Sequence, residues 1–149
     1  MKNFRLGFIA VATLVLGLAS ASQAESLTPE VRVAIGQEIR DSLAAEQRAL
    51  VSGGCDAAVA FFREREPLFV ANGRTMGTRA ALKASCEAAV PPREGAKREL
   101  KHHAVQVLSP TNGYSVTTYR GGNGEAQVVT KIWEKSSDGW RIVHAHLSD

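Results

Sequence analysis

The run from Gly139 to Asp149, GWRIVHAHLSD, sets two imidazoles two residues apart in an otherwise apolar stretch. On a β-strand successive side chains alternate between faces, so His144 and His146 are expected to point the same way. Paired imidazoles suit acid–base catalysis, metal ligation or hydrogen bonding to a bound molecule. The plain alternative is a hydrogen-bonded histidine in a packed interior. The preceding run, AQVVTKIWEK, supplies the hairpin partner. A two-residue Asp138-Gly139 turn and a four-residue Ser136–Gly139 turn give the same parity. Either puts Lys131, Trp133, Trp140, Ile142, His144, His146 and Ser148 on one face, with Thr130, Ile132, Val143, Ala145 and Leu147 on the other. A three-residue loop with a bulge would scramble this assignment.

The first face mixes aromatic, cationic and imidazole groups, the lining of a partly polar pocket. A buried Lys131 beside imidazole and indole would pair a small carboxylate or enolate, unless it snorkels to solvent from the strand end. Lys131, Trp133, His144 and His146 are therefore the expected ligand-binding set. For catalysis the candidates are His144 or His146 as base, with Tyr119 or Lys131 as electrophile. A metal needs at least three ligands, and His144-x-His146 gives two. His102 and His103 are adjacent, so in a strand only one of them faces inward, and no carboxylate shares the inward face of the last two strands. No metal site and no cofactor are expected.

Helices must come first and strands afterwards to carry these residues. Thr28, Pro29 and Glu30 read as a helix start, and Val31, Ile35, Ile39, Leu43 and Leu50 form one apolar stripe that Gly53-Gly54 ends at Ser52. A second helix is expected from Cys55-Asp56 to Pro67. LFVANG reads as a short strand entering an Asn72-Gly73 turn, and a third helix, capped by Thr78, ends at Pro91-Pro92. From Leu100 four Val-, Thr- and aromatic-rich runs alternate with turn clusters, which predicts an antiparallel meander and an α+β class. Gly121-Gly122-Asn123-Gly124 is a hairpin turn and no phosphate loop, since no helix or suitably placed lysine follows it.

The first 24 residues have the layout of a secretory signal peptide. Lys2 and Arg5 precede an apolar run, Leu6 to Ala19, and Ser22-Gln23-Ala24 forms the cleavage site. Fourteen apolar residues span about 21 Å as a helix, short of the ~30 Å hydrocarbon core. Residues 25–149 then form one domain in the periplasm or outside the cell. Losing Lys2 and Arg5 lowers the formal charge from +3 to +1, too small for a nucleic-acid or anionic-membrane partner. In an oxidising compartment Cys55 and Cys86 are expected to form a disulfide, against the alternatives of two separate thiols or a nucleophile lacking a nearby histidine.

The segment VTKIWEKSSDGWRIVHAHLS resembles the tail of many SnoaL-like domains, of the nuclear transport factor 2-like superfamily, and of the calcium/calmodulin-dependent kinase II association domain. FVANGRTMGTRAAL is a weaker second match. The resemblance implies a cone-shaped fold, with three N-terminal helices packed on a curved antiparallel sheet and His144 and His146 looking toward the long first helix. It also implies that Lys131 stands where the kinase domains carry a basic side chain. Family members include cyclases, steroid isomerases, dehydratases, ligand binders and assembly modules, so fold alone names no reaction. Steroid isomerase-like members carry an aspartate near the end of the first strand, where this chain has Val70-Ala71-Asn72. The expected function is thus an exported domain binding a small anionic or polar-aromatic molecule, as a homodimer paired through the aliphatic outer face of its last strands. The alternatives are an isomerase, cyclase or dehydratase with a histidine base, and a homo-oligomeric assembly module.

Overall fold

Thr28 starts the first helix of the computed structural model, which describes residues 27–71, 73–89, 99–120 and 126–148. Its hydroxyl accepts the Val31 backbone N–H at 3.4 Å, Pro29 presets the first helical φ, and α1 runs from Pro29 to Val59. Ile35, Ile39 and Leu43 bury as expected, while Val31 is left exposed. Gly54 breaks the helical path at φ 69° and ψ −161°, a conformation that glycine adopts without a Cβ clash. Beyond it the chain stays helical only to Val59. Instead of a separate helix reaching Pro67, Phe62 bridges to Ile142: Arg63 N–H donates to the Ile142 carbonyl at 3.0 Å, and Ile142 N–H to that of Phe61 at 2.9 Å. Backbone groups committed to a strand cannot also close helical turns. The described residues hold two helices where three were expected.

β1 (Leu68–Ala71) returns as β2 (Arg74–Met76), a short strand absent from the sequence reading, and α2 (Arg79–Ala89) follows. The Thr78 hydroxyl caps α2, accepting the Ala81 N–H at 3.1 Å. Cys55 and Cys86 are joined, with Cα atoms 5.8 Å apart, and the exposed Lys83–Asp56 pair at 2.7 Å lies beside the bridge. The predicted meander is β3 (Glu99–Ser109), β4 (Asn112–Arg120), β5 (Ala126–Ser136) and β6 (Gly139–Ser148). Strand order is β2-β1-β6-β5-β4-β3, and β1 lies parallel to β6, so the sheet is mixed where an antiparallel one was expected. The signal-peptide segment, Pro91-Pro92 and the Gly121–Gly124 turn lie outside the described residues.

The two strands nearest the proposed site depart from uniform pairing. Ser136↔Gly139 closes the hairpin, and pairing runs through Lys135↔Trp140 and Trp133↔Ile142, then jumps to Ile132↔His144 and Lys131↔Ala145. Val143 is the extra residue of a β-bulge, and face parity reverses beyond it. Lys131, Trp133, Trp140 and Ile142 face α1 as expected and are buried. His144, His146 and Ser148 turn to the opposite face, and Ala145 and Leu147 replace them on the inner one.

Ile35, Ile39 and Leu43 pack against Phe62, Leu82, Val107, Trp133, Trp140, Ile142 and Ala145. Arg32 Nη1 donates to the Val107 carbonyl at 2.7 Å, and the Glu38 carboxylate accepts from Lys135 Nζ at 2.6 Å and Trp140 Nε1 at 2.8 Å, which fixes α1 to both ends of the meander. The helix approaches β4 closely at Gly113, where a Cβ would stand 2.6 Å from Ile39 Cδ1 and 2.9 Å from the Gln106 carbonyl oxygen. Gly113→Ala is expected to destabilise by about 1–3 kcal/mol through overpacking. The measurement is urea unfolding: the midpoint should fall with the m-value unchanged.

Candidate functional site

The apolar stripe of α1 has one charged interruption. Between Leu43 and Leu50, at helical spacing, Glu46 occupies the inward position and is 6% exposed. From β5, Lys131 meets it, also 6% exposed, with Nζ 2.5 Å from Glu46 Oε2. Gln47 Nε2 donates to the same oxygen at 2.8 Å. Two buried charges of opposite sign offset part of each other's desolvation cost, and the added hydrogen bond further satisfies the carboxylate.

Both members of this pair line a cavity of about 170 Å³. Leu50, Ala58 and Val59 of α1, Leu82 and Ser85 of α2, Phe62, Phe69, Ala71, Val129 and Leu147 make its walls, with Tyr119 joining Glu46, Gln47 and Lys131. Phe62 and Phe69 meet edge to face, their centroids 6.4 Å apart. Cys86 also lines the cavity, so the disulfide ties the α2 wall to α1 immediately after the Gly54 break.

Of the expected ligand-binding set, only Lys131 reaches this space. Trp133 is fully buried, its Nε1 donating to Ser115 Oγ at 2.9 Å, and it does not line the cavity. The bulge turns His144 and His146 to the other face of the sheet, and neither lines the cavity. Tyr119, the third catalytic candidate, does line it. Glu46 was missed, although a carboxylate in register with an apolar stripe is a readable signal.

The histidine that turns inward is His103, while His102 is exposed. His103 pairs in register with Thr117, and His103 Nε2 and Thr117 Oγ1 are both buried without a hydrogen-bond partner among the described residues. Desolvation first, then the charges of Arg40 and His102, hold the His103 pKa below its ordinary value. Among the described residues no three His, Cys, Asp or Glu side chains are grouped so as to hold a metal ion, and no helix is long and apolar enough to cross a membrane.

No protein-family model and no curated protein sequence matches the chain. Solved structures do. A DUF3225-family protein of unknown function from Pectobacterium atrosepticum superposes with a TM-score of 0.69 at 18% identity, covering 83% of this chain and 98% of that one. An NTF2-like protein of unknown function from Pseudomonas putida gives 0.65 at 17% identity, over 78% and 87% of the two chains. The fold is nuclear transport factor 2-like. A calcium/calmodulin-dependent protein kinase II association domain-like protein from Xanthomonas campestris shares it at a TM-score of 0.59 and 15% identity, over 75% and 85%. In this chain the nuclear transport factor 2-like fold sets a long helix against the sheet, and the Glu46–Lys131 pair spans that gap.

Removing one partner of the pair should cost more than removing both. Glu46→Gln or Lys131→Met leaves a buried charge unpaired and is expected to destabilise by about 3–5 kcal/mol, whereas the double variant recovers most of the loss. Chemical denaturation of the four proteins checks the cycle.

His103 gives a pH dependence whose sign is fixed. Its pKa is lower folded than unfolded, so the unfolded chain binds the proton more readily. The stability His103 contributes is full above about pH 6.5, the ordinary histidine value, and is lost as pH falls through the folded value. Urea midpoints at pH 7.5 and pH 5.5 should differ in the native protein, and the difference should shrink in His103→Gln.

Proposed function

We propose that the chain is an exported domain that binds a small polar-aromatic molecule in the cavity between α1 and the sheet. The observation that carries this reading is the cavity's mixed lining, mostly apolar, with polar groups from Glu46, Gln47, Ser85, Tyr119 and Lys131. An aromatic ring fits against Phe62 and Phe69, and a neutral polar substituent meets carboxylate, ammonium and amide together. Lys131 already has Glu46 as counter-ion, so an anionic ligand would have to displace or sit beside a buried carboxylate. This favours the polar-aromatic half of the expectation over the anionic half. The signal-like first 24 residues and the disulfide support export to the periplasm or beyond.

Native mass spectrometry of freshly purified protein, followed by calorimetric titration, tests the reading. Benzamide should bind at least about tenfold more tightly than benzoate, the worth of roughly 1.4 kcal/mol. Leu82→Trp, which fills the cavity, should abolish the binding. Equal affinities, or preference for benzoate, would defeat it.

A second copy of the chain is the proposed partner, through the sheet face away from α1. Ala145 and Leu147, expected on that face, turn inward, but Tyr114, Val116, Val128 and Ile132 occupy outward positions across β4 and β5. A sheet face turned permanently to water is ordinarily polar. Light scattering should give a dimer at micromolar concentration, and Ile132→Glu should shift it to monomer; a monomeric native protein would refute the pairing.

A further inference from the structure

A second concavity, of about 360 Å³, lies outside the cavity between α1 and the sheet. It sits at the hairpin end of β5 and β6, between the segment after α1 and the first residue of α2. Three half-buried guanidinium groups line it, those of Arg63, Arg79 and Arg141. Each is fixed by hydrogen bonds. Arg79 Nε donates to the Phe62 carbonyl at 2.9 Å, and its Nη2 to the carbonyls of Phe62 and Ala60. Arg63 Nε and Nη2 donate to the Glu66 carbonyl at 3.2 and 2.9 Å. Arg141 Nη2 reaches Asp138 at 2.5 Å.

Three carboxylates line the same groove, and only one is engaged. Asp138 accepts from Arg141 and from the Ser136 hydroxyl, so it is satisfied within its own turn. Glu64 and Glu134 are exposed and make no ion pair among the described residues, and neither Arg63 nor Arg79 has a carboxylate partner there. Exposed ion pairs are worth little, so hydrogen bonds to main-chain carbonyls can hold a guanidinium in their place. Here Arg63 and Arg79 spend their Nε and Nη2 hydrogens on main-chain carbonyls, which holds the heads in place and leaves their charge uncompensated. The groove therefore presents fixed cations and separate free carboxylates at once.

We propose that this groove is a second binding site, for a small zwitterion of the α-amino acid class. The ligand carboxylate sits on Arg63 and Arg79, and its ammonium group between Glu64 and Glu134. Charge-assisted hydrogen bonds at both ends select a molecule carrying both charges over one carrying either. Val143, the bulge residue, and Ala60 are the apolar contacts in the groove for the ligand's side chain.

The test is titration calorimetry of the full chain with each of the twenty amino acids, then with the deaminated and decarboxylated analogues of any that binds. At least one amino acid should bind with a Kd of about one millimolar or tighter, and both analogues should bind at least about tenfold more weakly. Glu134→Gln, on an exposed strand position, should weaken the amino acid about tenfold without changing the affinity of the deaminated acid. Arg63→Gln should weaken both, and the cavity-filling Leu82→Trp should weaken neither, which separates this site from the one proposed above. Failure of every amino acid to bind at ten millimolar, an analogue binding as tightly as its parent, or an unaffected Glu134→Gln would each overturn the proposal.

Discussion

Between Trp133↔Ile142 and Ile132↔His144, β5 and β6 fall out of step by one residue, and every side chain of β6 from Val143 onward takes its face from that step. Without it His144 and His146 would face α1, and Ala145 and Leu147 would be on the outside. With it, the small Ala145 is fully buried and Leu147 closes a cavity wall. The same step lets β1 align beside β6 with Phe69 against Ala145 and Ala71 against Leu147, so that inward residues of both strands coincide. Val143 itself is directed to the outer groove. A single inserted residue thus divides the chemistry of the sheet between its two faces.

Inside, the Glu46–Lys131 pair is an expensive way to fill a helix–sheet interface. A hydrophobic pair of similar volume would serve stability as well or better, because two charges must be stripped of water before they attract. Retaining them leaves a permanent dipole against a mostly apolar space. Such a dipole is worth more in a low-dielectric setting than in water, and it offers a donor and an acceptor within one hydrogen-bond length. The apolar walls supply area, while the pair supplies orientation.

Much of this was legible from residue order. Thr28 and Thr78 cap helices as their types require, turn clusters separate the four strands, and the two cysteines are bridged. The misses share a cause. No residue type marks the bulge at Val143, because it satisfies β1 and the Phe61–Arg63 segment, which approach from far away in sequence. β2 has only three residues and no hydrophobic alternation to announce it. The helix predicted up to Pro67 yields to main-chain pairing with Ile142, a tertiary interaction overriding local preference. Glu46 differs, since its place on the stripe was visible, as was an inward Lys131 on β5, and only their meeting was not.

The position of β6 has a kinetic side. It is the latest of the six strands to leave the ribosome, yet it lies between β5 on one flank and β1 on the other. Until it is in place, the β1–β2 hairpin has no strand to join, and the β3–β5 ladder ends in an open edge. The parallel β1–β6 contact closes a loop of more than seventy residues, from Leu68 to His144, and such long-range pairing slows folding. Completion of the sheet therefore waits on β6, and the five strands made before it stay an open, unlocked assembly until it arrives.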